Sequence, residues 1–287
     1  MQSNLFSNHL MPLAIAVIML GIGMNLKFHD FGQIFKKPKA VITGLIAQMI
    51  LLPVIAFIFN MFLDVSPIVK VGFILIAACP GGTTSNIVTL FLRGRLALSV
   101  TLTAFNSVLI LFTIPVILHF ALWFYLGENQ EIYLPVLITI RGILLSVILP
   151  VVAGMTIKYF FSKQATFMRK PMNYIMTGFL LFVFAGIILI EKNGNTNITD
   201  YFPLFLPAFF LNVVTMFAGY LLALATGINN RGRFTIAIQV GLQNSALAIF
   251  IASKMLGQNE IAMVAVIYGS FTLFSTAFWA WIMKKYL

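Results

Sequence analysis

Apolar residues occur in blocks too long for strands and too continuous for the one-sided pattern of a helix on a soluble core. Nine such blocks lie at approximately 10–26, 38–62, 66–92, 96–125, 133–161, 170–190, 203–226, 233–255 and 261–283. Each is near or beyond the roughly 20 residues a helix needs to cross a bilayer. The pattern predicts an all-α polytopic membrane protein. The connecting segments are short and leave no room for a soluble domain. The longest polar one, 192–200, reads as an external turn whose Asn197-Ile198-Thr199 sequon matters only in a secretory pathway.

Two blocks are interrupted where the bilayer is driest. The third contains AACPGGTTSN, residues 77–86, and the eighth contains GLQNS, residues 241–245. A backbone in hydrocarbon must satisfy its own N–H and C=O groups, at several kcal/mol for each one left bare. Pro80 removes a donor, and Gly81 and Gly82 unwind easily. Breaks at 80–83 and 241–244 are therefore expected only where protein or a water-filled cavity supplies partners. The two broken spans are an odd number of crossings apart and run in opposite directions. Their preceding neighbours match as well, Gln48 in span two and Asn212 in span seven. Spans one to four then pair with spans six to nine as inverted repeats, leaving span five alone. Inverted repeats with discontinuous helices near the midplane are a mark of secondary transporters. Half-helix N-termini offer N–H groups to an anion, and half-helix C-termini offer carbonyls to a cation.

Span four adds a polar stripe. Ser99, Thr103 and Asn106 fall at i, i+4 and i+7 and share one helical face. Neutral oxygens from Ser85, Asn86, Ser99 and Thr103 suit a small hard cation. An isolated serine or threonine in a membrane helix more often bonds its own backbone or glues helices together. Gluing does not require unwinding, so the stripe and the two breaks together favour a binding site.

Composition and charge fit this picture. The chain has 287 residues, of which 61% are hydrophobic and 9% charged, with a formal net charge of +11. No soluble fold hides that much apolar surface. The excess of base alone would suit nucleic acid, but fourteen of the 18 basic residues fall on alternate connections, after spans one, three, five, seven and nine. Six of the seven acids lie on the other side. The positive-inside bias puts the N-terminus outside and the C-terminus in the cytoplasm of a cell (inner) membrane. The charge reflects topology and contact with membrane lipid, not nucleic acid. No obligate protein partner is evident. MQSNLFSNHL has no basic region of the kind that opens a cleaved signal. The single cysteine, Cys79, excludes an internal disulfide and a cysteine-rich metal site. His9, His29 and His119 form no cluster. Lys70 and Lys254 sit at outer span ends, where snorkelling accounts for them. Arg141 either lies at the outer interface or meets a substrate carboxylate.

GLIAQMILLP, CPGGTTSN, RGRLALSVTLT and VGLQNSALA resemble the bile acid:sodium symporter family over essentially the whole chain. The resemblance is to the nine-span form, without the extra first helix of ten-span bacterial members. It implies a core domain at approximately 38–127 and 201–287, holding both broken helices, and a panel domain at approximately 10–35 and 133–192 that rocks against it. It also implies two sodium sites. The first would use Ser85, Asn86, Ser99, Thr103 and position 239. The second would use Gln48, Gln243, position 239 again, and carbonyls near Val240 and Leu242. Thr83 and Asn244 would face the substrate.

Position 239 departs from the family, which typically carries glutamate there; this chain has Gln239. The loss of one charge at contact distance is worth several kcal/mol even at an effective dielectric near 20. No other acid lies within a span to replace it. Sodium coupling is therefore expected to be weakened, reduced to one ion, or lost. The expected function is import of an organic anion, bile-acid-like or a small carboxylate, by alternating access, with a sodium-independent facilitator or channel as the alternative. A membrane-embedded enzyme would need a nucleophile–base pair or metal cluster at membrane depth, and the sequence offers neither.

Overall fold

The computed structural model describes residues 9–32, 38–127, 136–192 and 198–284. The described residues are helical apart from short links, turns and one isolated bridge between Gly81 and Gln243. We number the principal helices α1 (Met11–Asn25), α2 (Pro38–Met61), α3 (Pro67–Ala78), α4 (Thr83–Phe91), α5 (Leu96–Leu126), α6 (136–160), α7 (Ser162–Lys192), α8 (Phe205–Ala225), α9 (Asn230–Gly241), α10 (Ser245–Met255) and α11 (Asn259–Lys284). Helices α2, α5 and α8, with stretches of α6, α7 and α11, are six spans long and apolar enough to cross a membrane. Helices α1, α3 and α10 are shorter apolar segments. Together with the family assignment given below, they make this a multi-pass membrane protein.

Prolines shape two of the long helices. Pro53 and Pro150 lack the N–H that a regular turn needs, and just before each the ladder slips to π spacing. Leu52 N–H donates to Ala47 O, and Leu149 N–H donates to Leu144 O. The first of these bulges carries Gln48 and widens the turn that presents it. Starts are set by caps: Ser66 Oγ accepts from Val69 N–H ahead of Pro67, and Asn229 Oδ1 accepts from Gly232 N–H.

Two sets of helix contacts stand out, with further contacts between them. Helix α1 lies against α6 and α7. At its contact with α6 a Cβ on Gly23 would stand 2.0 Å from Val151 O, and one on Gly154 would stand 2.2 Å from Leu20 O. Only glycine lets these backbones approach so closely, the small-residue packing typical of helices in lipid. In the second group α3 packs on α5 and α11, α8 on α9, and α10 on α11. Side chains such as Phe112, Phe160, Leu206, Phe274 and Trp281 are exposed on the outer surface, as lipid-facing residues would be.

Helical bounds follow the hydropathy within a few residues, with one correction. The sixth span, helix α7, starts at Ser162, eight residues before the sequence placed it at 170. Hydropathy detects only the part that lipid would cover; the polar 162–170 stretch continues the same helix beyond it and tolerates Pro171 inside. The helix containing Arg141 begins by Val136, and Arg141 is exposed on it.

Candidate functional site

The chain breaks at both expected places. Helix α3 ends when Cys79 turns extended at φ −72° and ψ 150°, and α4 restarts at Thr83. Helix α9 ends at Gly241, Leu242 adopts φ −103° and ψ 89°, and α10 restarts at Ser245. The two unwound segments cross and pair. Gly82 N–H donates to Leu242 O at 3.3 Å, and Asn244 N–H donates to Pro80 O at 2.9 Å. Each break thus supplies partners for the other's peptide groups, which the dry surroundings demand. Asn244 also caps α10, its Oδ1 accepting from Leu247 N–H at 3.1 Å.

Gln239 sits one turn before the crossing and is 1% exposed. Its Oε1 accepts from Ser85 Oγ at 2.7 Å. Its Nε2 faces three oxygens: Ser99 O at 2.5 Å, Thr103 Oγ1 at 3.0 Å and Ser99 Oγ at 3.1 Å. A backbone carbonyl can only accept, so the group facing Ser99 O must be the NH2, and this fixes the amide's orientation. Asn86 Oδ1 completes the cluster, accepting from Ser99 Oγ at 2.6 Å and from Thr103 Oγ1 at 3.4 Å. Gly81 makes room for it. A Cβ there would lie 2.2 Å from Gln239 Oε1 and 3.1 Å from Gln48 Nε2.

The last carbonyls of α9 are covered by side-chain amides. Gln48 Nε2 donates to Gln239 O at 3.3 Å, Gln243 Nε2 to Val240 O at 2.6 Å, and Asn212 Nδ2 to Gly241 O at 2.7 Å. Helix C-termini leave such carbonyls without intrahelical donors, so each amide answers a specific need. Asn106 Nδ2 in turn donates to Gln48 Oε1. Tyr268 Oη donates to Gly241 O at 3.2 Å, and Ser275 Oγ donates to Asn212 Oδ1 at 2.7 Å. Three buried oxygens in this region have no partner among the described residues, Gln243 Oε1, Asn106 Oδ1 and Ser245 Oγ.

Ser85, Asn86, Ser99, Thr103 and Gln239 therefore come together as one cluster, and Gln48, Gln243, Gln239 and Val240 as a second. Leu242 contributes its carbonyl to the crossing instead. Thr83 opens α4, but its side chain lies outside the described residues. Tyr268 was missed by sequence reasoning, because an aromatic inside an apolar span carries no signal until its hydroxyl is seen on Gly241 O.

A cavity of about 200 Å³ adjoins the crossing. Gly82, Thr84, Gln243, Asn244 and Ser245 contribute its polar lining from the broken helices. Ile18 and Ile22 of α1, with Met176, Leu180 and Phe184 of α7, form an opposite apolar wall. Arg141 lines neither this cavity nor the larger one described below. Among the described residues no three His, Cys, Asp or Glu side chains converge.

Residues 12–201 match the Sodium Bile acid symporter family. The chain belongs to that family. A probable sodium/metabolite cotransporter of the chloroplast in Arabidopsis thaliana is 31% identical over 251 residues, covering 88% of this chain and 61% of the relative. An uncharacterized sodium-dependent transporter of Bacillus subtilis is 31% identical, covering 83% of this chain and 72% of the relative. A sodium-dependent organic anion transporter of Homo sapiens is 26% identical, covering 90% and 68%. The chain spans only about three fifths of the chloroplast relative's length.

Proposed function

We propose that the chain is a secondary active transporter that imports an organic anion, bile-acid-like or a small carboxylate, by alternating access. The observation that carries this reading is the mutual pairing of two oppositely directed, broken helices beside a cavity. Counting each broken pair as one crossing gives nine spans, arranged as inverted repeats one to four and six to nine. The cavity lies between helices of the two packing groups. Helices α1, α6 and α7 act as a panel, and the remainder as a core, so rocking one against the other opens the cavity to alternate sides. Thr83 and Asn244 meet the substrate. The protein sits in the cell (inner) membrane with its N-terminus outside and its C-terminus cytoplasmic, as the basic connections require.

The first oxygen cluster does not fit a sodium ion as it stands. A cation there needs oxygens directed inward, and the place opposite Ser99 O, Ser99 Oγ and Thr103 Oγ1 belongs to the Gln239 NH2. That amide does by hydrogen bonding what a cation would do by coordination, and it is covalently attached. The second cluster would fit once the Gln243 amide turns. Its Oε1 is buried without a partner, while its Nε2 holds Val240 O and Gln48 Nε2 holds Gln239 O. Gln48, Gln243 and the Gln239 and Val240 carbonyls would hold one ion, while Leu242 O stays with Gly82 N–H at the crossing. One sodium carried with a monovalent anion moves no net charge, so the coupling would draw on the sodium gradient alone; the membrane potential adds about 2.3 kcal/mol per 100 mV only for each net charge moved.

Counterflow in proteoliposomes tests the function. Labelled cholate or a short-chain carboxylate should accumulate transiently against unlabelled solute inside, with saturation. Linear, non-saturating flux would make the protein a channel instead. Because the Gln239 amide closes one cluster, a sodium-independent facilitator is the second reading, and equal counterflow in sodium and potassium would establish it.

A further inference from the structure

A second cavity, of about 350 Å³, opens where the basic connections emerge. Lys27 and Asp30 line it from the turn after α1, Lys158 from the last turn of α6, Asn86 and Ile87 from α4, and Asn173 from α7. Ile87 and Asn173 also line the crossing cavity, so the two cavities adjoin at these residues. Their linings differ in one respect that bears on an anion. The crossing cavity is lined by apolar and uncharged polar side chains only, whereas the second carries two ammonium groups and one carboxylate. Asp30 is partly engaged in its own turn, its Oδ2 accepting from Lys27 N–H at 2.7 Å. Lys158 is anchored rather than free to swing, with Nζ donating to Asn25 O at 3.0 Å at the end of α1. At the junction, Asn173 Oδ1 is buried and has no partner among the described residues.

We propose that this vestibule is a second station for the transported anion, in which Lys27 and Lys158 attract its oxyanion group and Asn173 accepts from a hydroxyl or N–H beside it. The proposal rests on the transporter reading and adds to it where the charge is read. At the crossing, only backbone and side-chain dipoles face the solute; full positive charge is met only after it passes Ile87 and Asn173. A cavity of this size is at the lower end of those that hold whole small molecules. An anion with an apolar body can therefore keep that body against Ile18, Met176 and Phe184 while its acid group reaches the lysines. A concave wall of net positive charge also concentrates counter-ions of the opposite sign.

A thiol placed at the junction measures this without knowing the substrate. In a Cys79→Ala background, Asn173→Cys is treated with the anionic sulfonatoethyl and the cationic trimethylammonioethyl methanethiosulfonates from the side of the basic connections. Ile87→Cys replaces it should Asn173→Cys fail to fold. The anionic reagent should react faster after correction for the two reagents' intrinsic rates. Lys27→Gln with Lys158→Gln should lower that preference about tenfold, and Lys27→Arg with Lys158→Arg should keep it. Equal reaction of both reagents, or a preference unchanged by removing the lysines, would overturn the proposal. Loss of the anionic preference only when phosphatidylglycerol is present would place a lipid headgroup there instead and overturn the solute route. Absent counterflow alongside an intact preference would remove the transporter reading but leave the anion-attracting vestibule.

Discussion

Restoring the acid at position 239 gives the sharpest test of how this site is balanced. In the native chain the amide has two protons directed at three oxygens, the nearest being Ser99 O at 2.5 Å. Gln239→Glu replaces those protons with a second carboxylate oxygen and sets it against a carbonyl that cannot donate. Thr103 and Ser99 hydroxyls can turn toward the new oxygen, but Ser99 O is left without its donor, at a cost of about 1–3 kcal/mol. The buried charge adds several kcal/mol more. A sodium ion between the carboxylate and the Ser99, Thr103 and Asn86 oxygens reverses both losses, since one opposite charge at 4 Å is worth about 4 kcal/mol at an effective dielectric of 20.

The variant should therefore unfold at a lower temperature than the native protein in potassium and recover in sodium. The native protein should respond to sodium weakly, through one site, with a Hill coefficient near 1. The variant should respond more steeply, toward 2. Half-unfolding temperatures over a sodium titration at constant ionic strength supply the measurement, because a ligand that binds only the folded state stabilises it as RT ln(1 + [L]/Kd). A native titration with two-site steepness, or a variant no more responsive than the native chain, would refute the reasoning.

Gly81→Ala should push the Gln239 side chain out of place and cost about 1–3 kcal/mol, read as a lower unfolding temperature with transport reduced at least tenfold. Asn212→Leu leaves Gly241 O to Tyr268 alone and should cost about 1–2 kcal/mol in the same thermal assay, while Asn212→Gln should recover part of it. Gly154→Leu should drive α1 from α6 and reduce yield of folded protein in detergent, with a loss larger than that for Gly178→Leu, whose Cβ meets nothing within 4 Å. Arg141→Gln should leave the half-saturating anion concentration within about twofold of native, since Arg141 lines neither cavity.

The helices and their breaks were legible because lipid imposes a simple rule: apolar length, with polar backbone tolerated only where something answers it. Proline and glycine at 80–82 and the amide-rich 243–245 stretch announce their own exception. The i, i+4, i+7 stripe likewise put Ser99, Thr103 and Asn106 on one helical face, and in the fold Ser99 and Thr103 meet Asn86 there. What could not be read was the direction of the Gln239 amide. A glutamine presents either oxygen or N–H, and only the position of Ser99 O decides which. The vestibule was hidden for a different reason. Lys27 and Lys158 were counted as topology signals after spans one and five, which they are. That both line one cavity depends on the glycine-tight contact of α1 with α6, a matter of packing that no local pattern encodes.

The two clusters are unequal for a structural reason. Gln239 is held by four hydrogen-bonding contacts at its side chain and by a fifth at its carbonyl, so displacing its amide breaks a network spanning α2, α4, α5 and α9. Gln243 makes a single side-chain bond, to Val240 O three residues back, and its other end is unpartnered. Turning the Gln243 amide gives up one hydrogen bond and frees a carbonyl while presenting an oxygen, which is the exchange a cation rewards. Turning the Gln239 amide gives up several and sets oxygen against oxygen. A site that must fill and empty once per cycle has to be cheap to rearrange. The difference in hydrogen bonding between two glutamines four residues apart is what favours Gln243 over Gln239 for the one ion proposed above.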